Sequence, residues 1–308
     1  MNTPLSTQQL NRYNACMKKC ASISIIGRPS AGKSTLLNTI CGYKVSITAP
    51  SPQTTRNSIR GIYTGEEGQL IFVDTPGYHI SEKSFNMRLK DITVSSLGDA
   101  DILLYVVDTL RKPGEEEREI AELVASGNQW VVVALNKIDQ KRAHPGLMQL
   151  EMERLIPQAK FVEISALQNK GIDQLKETLF ELAPEGEQLY PDEFYTDQPP
   201  EFRIAEIIRE KAVNRAKDEL PHAIYVEIID MEIVKEKNML WVRAFINVER
   251  ESQKGLVVGK AGVGIAAIRK EAQKDIAKLF PYKIHLDIRV KAQGKWRKKD
   301  QVLKKLLY

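Results

Sequence analysis

The sequence predicts an α/β protein in two parts, a doubly wound parallel sheet followed by a smaller α+β domain, and three observations carry that prediction. Short apolar runs alternate with helix-like segments over residues 21–183, the βα pattern of a parallel sheet covered on both faces. Pro184, Gly186, Pro191, Pro199 and Pro200 then break the alternation and mark a linker over residues 184–201. Beyond them, over residues 202–308, the order becomes helix, strand, strand, helix, helix, strand. Residues 1–20 read as an N-terminal extension. With 308 residues, 43% of them apolar, the chain is long enough for two cores.

The first strand (Ile23, Ile25, Ile26) runs into Gly27-Arg28-Pro29-Ser30-Ala31-Gly32-Lys33-Ser34, and Thr35, Leu36, Leu37 and Ile40 continue as a helix. This is GxxxxGKS in the strand, loop and helix order that the motif requires. Its glycines let backbone N–H groups wrap a phosphate chain at the positive end of the helix. Lys33 is placed to reach the terminal phosphates and Ser34 to hold Mg²⁺ by its hydroxyl. A polar stretch, Ser46 to Asn57, contains SPQTTR with Thr54 and Thr55. Segments 59–63 and 69–73 read as a hairpin whose second strand ends in Asp74, Thr75, Pro76, Gly77. Alone, DTPG could be a simple turn. After a P-loop and at the end of an apolar strand, it is where a second magnesium-side carboxylate and a glycine N–H for the γ-phosphate belong.

The alternation continues with a helix over 84–97, a buried strand 101–107, a helix 115–126 with an acidic first turn, a strand 130–135, a strand 161–164 and a helix 172–182. Two strand ends name the nucleotide. WVVVAL leads into Asn136, Lys137, Ile138, Asp139, and the next strand into Ser165, Ala166, Leu167. The Asp139 carboxylate can accept from the ring N–H and the exocyclic amine of guanine, whereas adenine would oppose it with an acceptor. Asn136 would fix the loop and touch the base, the Lys137 stem would cover its face, and the Ala166 N–H would reach the guanine oxygen. GTP and GDP are therefore the expected ligands, with Mg²⁺.

These motifs, in this order, resemble the Era and TrmE branch of the translation-factor-like GTPases. The resemblance implies a molecular switch in which Thr54 or Thr55, with Thr55 favoured, senses the γ-phosphate and Mg²⁺. The implied metal set is Ser34, Thr55 and Asp74, and the implied catalytic set Lys33, Thr55, Asp74 and Gly77. Two residues depart from pattern. Tyr78 stands where Ras-like GTPases place a water-orienting Gln, so intrinsic hydrolysis should be slow. Ser30 stands where many relatives carry an Asn that helps bind K⁺; it is one carbon shorter and lacks the amide, which leaves potassium stimulation open. His79 reads as a solvent-facing loop residue rather than a base.

In the second part, Val257, Val258, Gly259, Lys260, Ala261, Gly262 and Ile265 make an apolar pair, a GxxG loop and a helix start. That is the element by which a KH fold holds a few nucleotides against an apolar shelf. From Gln253 to Tyr308, 15 Lys and Arg oppose 4 Asp and Glu on a chain whose net charge is only +5, so the remainder is acidic. Lys254, Lys260, Arg269 and Lys270 would meet phosphates near the loop. The run Lys291, Lys295, Arg297, Lys298, Lys299 with Trp296 reads as a second RNA contact, a membrane-surface patch or a solvated tail.

A P-loop GTPase domain followed by a type II KH domain narrows the resemblance to the Era family. It implies binding of the 3′ end of 16S rRNA, a role in maturation of the 30S subunit, and peripheral contact with the inner membrane. A membrane-linked signalling GTPase with incidental RNA binding is the alternative. The first residues lack the apolar core of a secretory signal, and Cys16, Cys20 and Cys41 show no CxxC spacing and read as free thiols. The expectation is a cytoplasmic monomer.

Overall fold

A computed structural model describes residues 18–48, 59–74, 98, 100–216, 220–294 and 296. In its first part, β1 (Lys19–Ile26), β2 (Ile59–Gly65), β3 (Gly68–Asp74), β4 (Ile102–Asp108), β5 (Trp130–Asn136) and β6 (Lys160–Ile164) form one sheet in the order β2-β3-β1-β4-β5-β6. β2 pairs antiparallel with β3, as the hairpin reading requires, and the remaining pairs are parallel. Every residue of β4 is buried because successive side chains enter different cores. Ile102, Leu104 and Val106 pack under α1 (Lys33–Cys41) and α4 (Ile172–Leu182); Leu103, Tyr105 and Val107 pack under α2 (Glu115–Ala125) and α3 (Pro145–Leu155). This is the doubly wound sheet the sequence predicts. Helix α3 is an addition to that reading. Pro145 fits its first turn, and Met148 and Met152 bury one face, a stripe too short to stand out in the sequence. The helix expected over 84–97 lies outside the described residues.

The second part contains α5 (Pro200–Arg215), α6 (Leu220–Ala223), β7 (Tyr225–Val234), β8 (Met239–Val248), α7 (Glu251–Val258), α8 (Val263–Ile276) and β9 (Lys283–Ala292). β7 pairs antiparallel with β8, and β8 parallel with β9. A parallel pair needs a crossover, and α7 and α8 supply it. Alternate residues of β8 (Leu240, Val242, Ala244, Ile246) face these helices and α5 in a separate core.

The proline-rich segment is not a free tether. Cys20 N–H donates to Pro184 O at 3.0 Å, and the Gln69 amide holds the backbone at Leu189 and Tyr190. Ile62 N–H donates to Tyr195 O at 3.0 Å, and Arg60 pairs with Asp197. The segment thus follows the β2–β3 edge, satisfying strand groups that an edge would leave open. It delivers α5 beside Lys44, whose ammonium lies 2.8 Å from Glu210 and 3.2 Å from Asp275. Lys211 adds a 2.5 Å pair to Asp275. Burial alone would push the Asp275 carboxyl up, but the Lys211 and Lys44 ammonium groups hold it well below the usual carboxylate range.

Candidate functional site

The GxxxxGKS loop sits at the C-terminal end of β1 and opens α1 at Lys33. Gly32 adopts φ +102°, and a Cβ there would lie 2.3 Å from the Asn136 amide nitrogen. Only glycine fits where the two loops close on each other. Lys33 Nζ donates to the carbonyls of Gly27 (2.8 Å) and Arg28 (3.1 Å), so its chain lies along the loop. Burial pushes its pKa down to about 8, against the opposing charges of Asp74 and Glu117. The Ser34 hydroxyl donates to Asp74 Oδ2 at 2.8 Å, and Ser46 does so at 2.9 Å. A carboxylate flanked by hydroxyl oxygens at the end of a buried strand is a hard, all-oxygen donor set that suits Mg²⁺. Pro29, Ala31 and Thr35 complete the loop and the helix start; Ala31 N–H closes a turn onto Arg28 O at 3.2 Å. Ser30 carries φ +65°, in the left-handed region.

At the base-binding loops, Asn136 is 2% exposed. Its Nδ2 donates to Ala31 O at 2.9 Å and its Oδ1 accepts the Ala166 N–H at 3.0 Å. Thr39 Oγ1 donates to Ala166 O at 2.8 Å. Lys137 spans the cleft, donating to Ser30 O (2.8 Å) and to Asp108 Oδ2 (2.7 Å). Asp139 accepts from the Ser165 hydroxyl at 2.6 Å, which holds its pKa below the usual range, and also from Gln140. Leu167 is exposed beside them, and a cleft of about 510 Å³ lined by Thr35, Asn38, Thr39, Ala166, Leu167 and Asn169 runs next to these loops. The structure therefore brings together Gly27 to Thr35, Asp74, Asn136, Lys137, Asp139 and Ser165 to Leu167. Thr54, Thr55, Thr75, Pro76, Gly77, Tyr78 and His79 lie outside the described residues.

Sequence reasoning missed Ser46, Asp108 and a buried network behind the loop. Arg28 pairs with Glu116 at 2.5 Å and with Glu117 at 3.4 Å, while Tyr105 OH donates to Glu117 at 2.5 Å. Burial pushes the Glu117 carboxyl up and the Tyr105 phenol well above its ordinary value. Asp108 carried a usable signal, a carboxylate closing a wholly apolar strand. Glu117 did not, because the acidic turn that contains it is explained by the helix dipole alone.

In the second part, Gly259 to Gly262 form a tight turn with Ala261 at φ +50° between α7 and α8. The N–H groups of the first turn of α8 open toward this turn. The apolar shelf differs from expectation. Val257 is 5% exposed and packs into the core, and Ile265 packs against that core, whereas Leu256 and Val263 are exposed beside the turn with Val258 partly so. Position on a helix decides this: Val257 lies on the stripe that meets β9, and its neighbour one residue back points away. Lys260, Arg269 and Lys270 are exposed; Lys254 pairs with Glu251 at 3.1 Å. Trp296 is withdrawn from any external contact. It is 0% exposed, its indole N–H donates to Ala223 O at 2.9 Å, and it packs on Tyr225. Lys291 lies over the Phe245 ring, and Lys295 and Arg297 to Lys299 fall outside the described residues.

Fold and site together define a P-loop GTPase joined to a KH domain. Residues 22–137 match the family described as 50S ribosome-binding GTPase, and residues 219–297 the KH domain family. The chain is 48% identical over 289 residues to GTPase Era of Treponema denticola, covering 93% of this chain and 98% of the relative. It is 45% identical over 290 residues to GTPase Era of Borreliella burgdorferi, covering 94% and 99%. Among solved structures, it is similar at 33% identity and a TM-score of 0.88 to an Aquifex aeolicus Era variant bound to GDP and aluminium fluoride, over 93% of this chain and 98% of that one. At the same identity and coverages, with a TM-score of 0.89, it is similar to Era in complex with MgGDPNP and nucleotides 1506–1542 of 16S ribosomal RNA. The chain belongs to the Era GTPase family, and its activity is hydrolysis of GTP.

Proposed function

We propose that the protein is a GTP-driven assembly factor that grips the 3′ end of 16S rRNA and acts in maturation of the 30S subunit in the cytoplasm, as a monomer. The observation that carries this reading is the GKAG turn at the start of α8, in a domain fastened to the GTPase domain by Lys44, Glu210 and Asp275. The Era complex with 16S rRNA nucleotides supports it.

On this reading, the loop amides and Lys33 bind the phosphates, exchanging the carbonyl contacts of Lys33 for phosphate oxygens. Asp139, braced by the Ser165 hydroxyl, reads the guanine edge with the Ala166 N–H, and Asn136 fixes the loops around it. Ser34 and Asp74 would hold Mg²⁺, with Thr55 as its partner from the first switch loop. Bound there, the ion neutralises charge that builds on the β- and γ-phosphate oxygens. Tyr78 in place of a water-orienting Gln makes intrinsic turnover slow. Leu256, Val258 and Val263 take the bases, while Lys260, Arg269 and Lys270 take phosphates.

Nucleotide and RNA should then raise each other's affinity by one factor. Titrating an oligonucleotide of 16S nucleotides 1506–1542 into the full chain with GDPNP, GDP or neither checks this. One dissociation constant in all three states would refute the switch. Liposome binding without ribosome co-sedimentation would favour a membrane GTPase instead.

A further inference from the structure

We propose that the segment Lys44 to Ser46 is a strap coupling the two sites: Ser46 positions the magnesium-side carboxylate of Asp74, and Lys44 holds the far end of the helix that begins at the GKAG turn. The inference rests on the GTP-dependent RNA-binding reading and supplies its physical route.

Ser46 is 1% exposed, and its hydroxyl donates to Asp74 Oδ2, the same oxygen that accepts from Ser34 of the P-loop motif. The segment is fixed to α1 as well. Asn38 Oδ1 accepts the N–H groups of both Val45 and Ser46 at 2.8 Å, and Asn38 Nδ2 donates to Ser46 O at 2.7 Å. Two residues before Ser46, Lys44 joins Glu210 and Asp275, and Lys211 closes the cluster at 2.5 and 3.3 Å. Tyr43 stacks on Tyr195 at 4.1 Å between ring centres, which braces the same segment against the chain that enters α5.

Asp275 lies in the last turn of α8, and the first residue of that helix follows Gly262. A helix of this length is a rod of roughly 20 Å, so a shift at Asp275 is carried to the GKAG turn rather than absorbed. Asn38 holds Val45 and Ser46 directly beside Lys44, so a displacement of Asp74 that draws Ser46 with it reaches the Lys44 ion pairs through a single intervening residue. Ser46 is a positioning residue; it acts on the reaction through Asp74.

The test uses the full chain and the 1506–1542 oligonucleotide. The read quantity is the ratio of RNA dissociation constants with GDP and with GDPNP plus Mg²⁺. The parent ratio should be at least about fivefold. Asp275→Asn, nearly isosteric, should bring it below about twofold with GDP affinity in the absence of RNA unchanged, and Lys44→Met, which keeps the stem on the rim of the cleft, should lower the ratio likewise. Ser46→Ala should lower the ratio in the same way and raise the Mg²⁺ concentration for half-maximal hydrolysis. Ser46→Thr, retaining the hydroxyl, should restore both. A folded Asp275→Asn or Lys44→Met chain that keeps the parent ratio overturns the strap and leaves the functional reading intact. Should one of them unfold, the other decides. Retention of the ratio in Ser46→Ala, or failure of Ser46→Thr to rescue it, also overturns the strap. A parent ratio of one sinks the functional reading first, and the strap with it.

Discussion

Asn136→Ala separates two accounts of the guanine-specifying loop. In one, the side chain acts by touching the base. In the other, it ties the phosphate loop to the Ser165–Leu167 loop before any nucleotide arrives. The structure favours the tie, since both ends of the amide are engaged within the protein, at Ala31 O and at the Ala166 N–H. Truncation leaves a buried carbonyl and a buried N–H without partners, each costing about 1–3 kcal/mol. The vacated space adjoins Gly32 and the open cleft, so water can enter and the lower part of that range applies. The sum is about 2–4 kcal/mol lost by the nucleotide-free protein. The assay is urea unfolding of the stripped chain, followed by circular dichroism, beside GDP titration of the same variant. Both stability and affinity should fall. An unfolding curve that coincides with the parent's while GDP binding is lost would refute the tie and leave base contact as the whole role.

Three further outcomes are expected. Gly264→Ala places a Cβ 2.6 Å from Val257 O and 2.9 Å from Val258 O, both backbone atoms, so α7 and α8 must part; RNA affinity should drop at least tenfold with GTP turnover intact, and unchanged RNA titration would contradict it. Ser30→Asn puts a residue more tolerant of φ +65° into the loop and should stabilise the chain by up to about 1 kcal/mol. Hydrolysis rates compared in K⁺ and Na⁺ should also diverge in that variant; equal rates would mean that the residue does not control potassium use. Asp275 has its folded pKa depressed below the ordinary 3.8, so its contribution to stability is complete above that value and lost as pH falls through the folded one. Asp275→Asn should therefore lower stability at pH 7 and flatten the acid limb of a stability-versus-pH profile. Parallel profiles for parent and variant would count against the Lys44 and Lys211 pairing.

What the sequence made legible follows from how its signals arise. The P-loop, Asp74, and the NKID and SAL stretches come together in the structure, and they are legible because each is a local chain segment at a strand end, where strands are marked by apolar runs such as residues 102–107; Thr75 to Gly77 lie outside the described residues. The core pattern of the second domain is legible for the same reason. Side-chain direction within one helical turn is not: Val257 and Leu256 are adjacent and apolar, and only the packing of α7 on β9 decides which is buried. Trp296 misleads in another way. Set among lysines it resembles an external contact, yet its indole closes the strand-start region at Ala223 and Tyr225. No local rule links residues 73 positions apart.

The same limit bears on charge, and here it changes the functional argument. The count over residues 253–308 treats its four acids as offsets to the basic surface. The structure assigns three of them to partners. Asp275 faces Lys44 and Lys211, Glu271 reaches Arg215 at 2.5 Å, and Asp287 lies 3.0 Å from Arg243. These cations belong to an earlier stretch of chain, while Lys278 and Arg289, from the same stretch as the acids, also reach Asp275 at 3.2 Å and Asp287 at 3.4 Å. Each of the three acids thus has a cationic partner outside the counted stretch, and Lys260, Arg269 and Lys270 stay exposed around the GKAG turn. The field that an incoming phosphate chain meets is thus more positive than the net count implies, because opposite charges that neutralise each other at contact distance contribute little beyond a Debye length of about 8–10 Å. Asp275, which fastens the domain to Lys44 of its neighbour, and Glu271 and Asp287, which pair inside the domain, thereby leave its RNA-facing side clear.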